Sequence, residues 1–134
     1  MRSRVQILAL LPIVAILASG CSRTVPKNDL PGRYSVTIGK QRQVIDLHQN
    51  GTYDNLLYRG TNLVWRRSDL WSYGYDKGQG DGAVAFAHFV FGLSDYASRT
   101  EGFWLVKPER AWEGAIEFCF DPDVTDRCFV REGR

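Results

Sequence analysis

The side chains that could do chemistry are few. The chain has 134 residues with 2 histidines and 3 cysteines. His48 and His88 lack the His-x-x-x-His spacing that sets two imidazoles around one metal. On strict alternation His48 shares a face with Val44 and Asp46 and points to solvent. His88 lies between Ala87 and Phe89 in the most apolar stretch. It reads as a hydrogen-bonded core histidine, with a pocket-lining ligand contact as the alternative. Gly92-Leu93-Ser94-Asp95-Tyr96 lacks the second glycine of a nucleophile elbow. Gly78-Gln79-Gly80-Asp81-Gly82 opens an apolar strand, whereas a phosphate cradle opens a helix. Glu101, Glu109, Glu113 and Glu117 flank late strands, but glycosyl transfer needs two carboxylates across a cleft. Asp121, Asp123 and Asp126 crowd one turn without the glycine and final glutamate of a calcium loop. No enzyme, metal or cofactor is expected.

The aromatic residues are the more informative group. Trp65, Trp71, Trp104 and Trp112 join Tyr58, Tyr73 and Tyr75 in a small domain. Core packing accounts for most such rings. Alternation nevertheless puts Trp65, Arg67, Asp69 and Trp71 on one face, which Tyr73 and Tyr75 continue in the absence of a bulge. Trp, Arg and Tyr together make the composition of an interface hot spot or a sugar-stacking surface. The alternative is a small apolar ligand held inside the domain near Phe86 and His88.

These side chains need a scaffold, and the scaffold reads as strands. After Asp29 the chain shows short apolar or alternating runs bounded by Gly, Asn, Asp and Pro, with no long 3.6-residue period. Eight strands are predicted: 33–38, 43–48, 52–58, 63–75, 83–91, 102–106, 114–120 and 127–131. Gly39-Lys40 joins the first two. Asn50-Gly51 joins the second and third, where a type I′ turn would need positive φ at both residues. Strand 63–75 has room for a bulge near Arg66–Asp69, and 83–91, apolar on both faces, reads as central and covered. Lys107–Arg110 reads as a turn, and Ser94–Arg99 as one helical turn at most. The predicted class is all-β: an antiparallel meander of about eight strands, forming a closed barrel or a two-layer sandwich.

Cys119 and Cys128 flank a turn over Pro122–Thr125. Facing each other, they pair Phe118 with Phe129 and Asp121 with Asp126. In an oxidising compartment they form a structural disulfide, and their spacing is not the redox Cys-x-x-Cys.

The first residues supply the compartment. Met1-Arg2-Ser3-Arg4 is basic, Val5–Ala18 is almost wholly apolar but too short to span a bilayer, and small residues follow. Leu17-Ala18-Ser19-Gly20-Cys21 resembles the lipobox of bacterial lipoproteins, with Ala18 where that class carries Leu, Val or Ile. The resemblance implies cleavage after Gly20, a diacylglycerol on the Cys21 thiol and an acylated new amine. Ser22, in place of the aspartate that retains such proteins at the inner membrane, implies the outer membrane. The organisation is then 1–20 signal peptide, 21–29 acylated cysteine and tether, and 30–134 β domain. Plain secretion and an uncut anchor are the alternatives.

Cleavage removes Arg2 and Arg4 and leaves 15 basic and 15 acidic side chains. A neutral domain has no field for nucleic acid. A 44% hydrophobic content with all the aromatics in the mature part excludes disorder. Gly32-Arg33-Tyr34, the run Leu47-His48-Gln49-Asn50-Gly51-Thr52-Tyr53 and Gly102-Phe103-Trp104 resemble small lipocalin-like β domains of envelope lipoproteins. That resemblance implies a barrel and carries no functional residue across. The expected protein is an outer-membrane-anchored, non-catalytic accessory factor that binds an envelope protein or cell-wall glycan through Trp65, Arg67, Trp71 and Tyr73. A carrier or sensor of an apolar ligand is the alternative.

Overall fold

A computed structural model describes residues 24–74, 82–94, 96, 101–121, 123–124 and 127–133. The stretch expected as a signal peptide, Cys21, the 75–81 loop and parts of two turns lie outside the described residues. A single 3-10 turn, Lys27–Asp29, precedes nine strands: β1 Gly32–Ile38, β2 Gln41–Leu47, β3 Thr52–Arg59, β4 Asn62–Tyr73, β5 Val84–Phe89, β6 Gly102–Val106, β7 Glu109–Arg110, β8 Ile116–Cys119 and β9 Cys128–Arg131. All pair antiparallel in one sheet of order β6-β5-β4-β3-β2-β1-β9-β8-β7.

Every strand but β7 neighbours its predecessor, and the pairing of β1 with β9 curls the sheet back on itself. The result is a half-barrel, neither the closed barrel nor the two-layer sandwich expected. The ring stops between β6 and β7, which are neighbours in sequence but opposite edges in the sheet. Pro108 stands at that junction. It has no N–H to donate, and the two-residue β7 offers too short a template to carry a ladder across. The expected turn at Lys107–Arg110 is therefore only half right, because Glu109 and Arg110 form this ninth strand against β8.

Alternation builds the core. Tyr34 and Val36 of β1, Ile45 and Leu47 of β2, and Tyr53 and Leu57 of β3 point inward and are buried. Phe86, Phe89, Phe118 and Phe129 fill the interior with edge-on and tilted rings, the Phe86 and Phe118 centroids 5.7 Å apart. These rings span the concave side and hold the two halves of the sheet together where no ladder does.

One end of the half-barrel is capped by the segment before β1. Val25 and Leu30 are fully buried. The Tyr73 hydroxyl donates to the Val25 carbonyl at 2.8 Å, and the Tyr34 hydroxyl to that of Leu30 at 2.6 Å. Burial pushes the Tyr34 phenol up to about 12, the Arg131 cation pulling the other way, so it stays a donor. Within the stretch expected as a tether, Val25 is thus buried against the sheet while residues 26–29 are exposed.

The opposite end is capped by the β5–β6 connection, through a buried amide pair the sequence did not advertise. Gln43 and Asn55 both donate to the Val90 carbonyl, at 2.7 and 2.9 Å. Gln43 Nε2 also bonds Asn55 Oδ1 at 2.8 Å, and its Oε1 accepts the Gly92 N–H at 2.9 Å.

The β2–β3 turn differs from the type I′ expectation. Gly51 has φ +85°, but Asn50 is not in the positive region. The Gly51 N–H bonds the His48 carbonyl at 3.2 Å, and the His48 N–H bonds the Thr52 carbonyl at 2.9 Å. This is the longer turn that closes with one left-handed glycine. Asn50 serves through its side chain, whose Oδ1 accepts the Thr52 N–H at 3.0 Å.

Candidate functional site

The expected aromatic face exists as a face, but it looks inward. On β4, Trp65 pairs with Leu57, Arg67 with Asn55 and Asp69 with Tyr53, all inward residues of β3. The register shift lies between Leu57 and Tyr58, on the Leu63 side of Trp65 and not near Arg66–Asp69 as expected, so parity holds from Trp65 to Asp69. Trp71 is only 5% exposed and its indole N–H donates to the His48 carbonyl at 3.0 Å. Tyr73 is half-buried and holds the N-terminal segment. Neither ring is offered to a partner. Trp65 is half-buried against Gly92, and a Cβ placed on that glycine would meet it at 2.7 Å. Arg67 is the exposed member, with its guanidinium carbon 5.9 Å from the Trp65 ring and an ion pair to Glu101. The four residues therefore do not form one surface.

The interior alternative fares no better as geometry. Phe86 is fully buried among Tyr53, Phe89, Trp104 and Phe118. His88 is not a core residue. The β5–β6 register shifts between Phe86 and Phe89, and His88 sits in this bulge with φ +49°, a region non-glycine residues seldom adopt. The bulge lets Phe86 and Phe89 both face the core and turns His88 outward. Its Nδ1 then lies 2.8 Å from Asp69 Oδ2. Two side-chain bridges, Asp69–His88 and Arg67–Glu101, thus span from β4 to β5 and to the start of β6 where the backbone ladder has ended. His48 is half-buried, 3.0 Å from Asp54.

The concavity that joins chemistry to backbone lies at the open seam. A cleft of about 520 Å³ is lined by Trp104, Leu105, Val106 and Lys107 from the β6 side. Glu109, Glu117, Cys119, Phe120, Val124 and Cys128 line the other side. Ring contacts close the slot at one end, where Phe91 and Tyr96 of the β5–β6 connection meet Phe120 at 5.4 and 4.9 Å. The Tyr96 hydroxyl adds a hydrogen bond to Asp121 at 2.7 Å. At the other end the chain itself crosses from β6 to β7. Between these bounds β6 and β8 face each other without a ladder among the described residues.

The cleft carries an electrostatic conflict. Glu109 and Glu117 stand directly opposite on β7 and β8. Partial burial and the neighbouring Glu109 charge raise the Glu117 carboxyl above its ordinary value. Cys119 and Cys128 form the disulfide in the register expected, with Phe118 opposite Phe129. The Glu117 carboxylate lies within 4.8 Å of both sulfurs. Those sulfurs are bonded to each other and give no thiolates, so the trio makes a poor metal site. Pro122, Thr125 and Asp126 of the expected turn lie outside the described residues.

None of Trp104, Lys107, Glu117 and Phe120 was marked out by sequence as part of one site. Motif spacing cannot bring β6 beside β8. Only the proline between two strands hinted at a broken ladder. No helix among the described residues is long and apolar enough to cross a membrane. No protein-family model, curated protein or solved structure matches the chain.

Proposed function

We propose that this protein is an acylated lipoprotein of the bacterial envelope, anchored through Cys21 in the outer membrane, whose half-barrel binds another envelope protein without catalysis. The observation that carries the binding reading is the open seam. The edge strand β6 and the part of β8 beyond the two-residue β7 share no ladder among the described residues, and they flank a cleft with an aromatic and disulfide floor. An extended segment of a partner can add there as a strand, taking main-chain hydrogen bonds from both edges. The bounded length of β6 and β8 limits it to a few residues. Glu109 and Glu117 outweigh Lys107 in the cleft, so a lysine or arginine in the segment would relieve their repulsion. A glycan would leave the strand edges unsatisfied, which favours a protein. The filled interior around Phe86 weighs against a carrier.

The test places a photo-crosslinking amino acid at Val124, an exposed residue of the cleft, and at Leu63, an exposed residue of β4. Irradiation of living cells should give one adduct of defined mass from Val124 and none from Leu63. Adducts from Leu63 alone would move the surface to β4. Native mass spectrometry that finds a bound small molecule, with no adduct at Val124, would return the carrier reading.

A further inference from the structure

Trp112 is the most exposed large hydrophobic side chain among the described residues, at 104% of the reference for a free residue. It sits at the tip of the β7–β8 hairpin, where the Ala111 N–H bonds the Ala115 carbonyl at 2.8 Å and the Gly114 N–H bonds that of Ala111 at 2.8 Å. A tryptophan held wholly in water forgoes about 2–3 kcal/mol of burial. Such residues mark interfaces, and indole is enriched where apolar and aqueous phases meet.

The neighbours of the hairpin say which phase lies there. Arg110, two residues before Trp112, pairs with Asp29 at 2.8 Å. Arg131 donates to the Asp29 carbonyl at 2.6 Å and to that of Pro31 at 2.7 Å. The tip therefore projects from the end of the half-barrel capped by residues 24–31. The chain leaves that end at Thr24, three residues after Cys21. Val25 is buried, and three residues of chain span at most about 10 Å. An acyl group on Cys21 must then hold this end close to the lipid surface. Exposed Lys27 stands at the same end, suited to anionic headgroups.

We infer that the capped end of the half-barrel rests on the bilayer, with the Trp112 indole in the lipid interface as a second attachment beside the acylated cysteine. The inference rests on the anchor reading of Cys21. Two attachments fix the tilt of the domain, where a single lipid would leave it free to rotate.

The experiment uses the full-length lipoprotein, processed in cells and reconstituted in phosphatidylethanolamine–phosphatidylglycerol vesicles with or without a brominated lipid. Peptide mass spectrometry first reads the modification of Cys21. Bromine should quench part of the tryptophan emission of the natural protein, and Trp112→Phe should abolish that loss. Trp65, Trp71 and Trp104 are at least half-buried and serve as the internal unquenched background. Acylated Cys21 with no quenching, or with equal quenching in Trp112→Phe, would overturn the inference while leaving the anchor intact. A Cys21 peptide without acyl mass would remove the anchor and the inference together.

Discussion

At the scale of the residue, close approach counts for more than chemical type. Gly92 is not in a left-handed conformation, yet no side chain fits there. A Cβ would meet the Trp65 ring at 2.7 Å and Leu57 at 2.9 Å. Gly92→Ala should therefore destabilise the domain by about 1–3 kcal/mol, the usual cost of overpacking. Urea unfolding followed by fluorescence will measure it, and an unchanged midpoint would mean the β5–β6 connection does not press on Trp65. Asp54 gives a second prediction. Burial raises its carboxyl, but hydrogen bonds from Ser68, His48 and Arg66 outweigh that and hold it below its ordinary value. Glu132 is lowered in the same manner, with Ser35 and Arg42 as its donors. A depressed carboxyl stabilises the fold above its unfolded value and loses that contribution as pH falls through its folded value. The melting temperature should hold steady through neutral pH and fall below about pH 4. Asp54→Asn should flatten part of that fall.

At the scale of the element, hairpins were legible and long-range placement was not. The order β1 to β3 and the β8–β9 register follow from local signs: Gly39-Lys40, Asn50-Gly51 and two facing cysteines. The β5 bulge had no such sign. His88 at φ +49° is set by Phe86 and Phe89 both seeking the core, which is a tertiary demand. Gln43 and Asn55 carried no sign of their role, because strand alternation cannot know that Val90 will present its carbonyl inside. Trp71 read as a contact residue for the same reason, since a face of Trp, Arg and Tyr looks alike from either side of a sheet. The disulfide closes a loop of separation 9. The chain-entropy argument gives about 2.7 kcal/mol for so short a loop. A Cys119→Ser, Cys128→Ser double variant should lose about that much in denaturant unfolding. A loss near zero would show that the β8–β9 hairpin is already ordered in the unfolded chain.

At the scale of the whole molecule, the class was legible and the closure was not. An all-β meander follows from composition and turn spacing, but whether its last strands seal depends on Pro108 and the shortness of β7. The same sheet order decides how the domain takes a load. A pull along the N-terminus enters at β1, which is no edge but is flanked by β2 and β9. Hydrogen bonds of antiparallel pairs run perpendicular to the strands, so axial tension strains both ladders of β1 in shear and all at once, where an edge strand would peel bond by bond. Val25 and Leu30 must also be drawn from the core before β1 can slip. The segment nearest Cys21 is thus continuous with a strand held on both sides, and the seam, at the far edges, lies off the line of force.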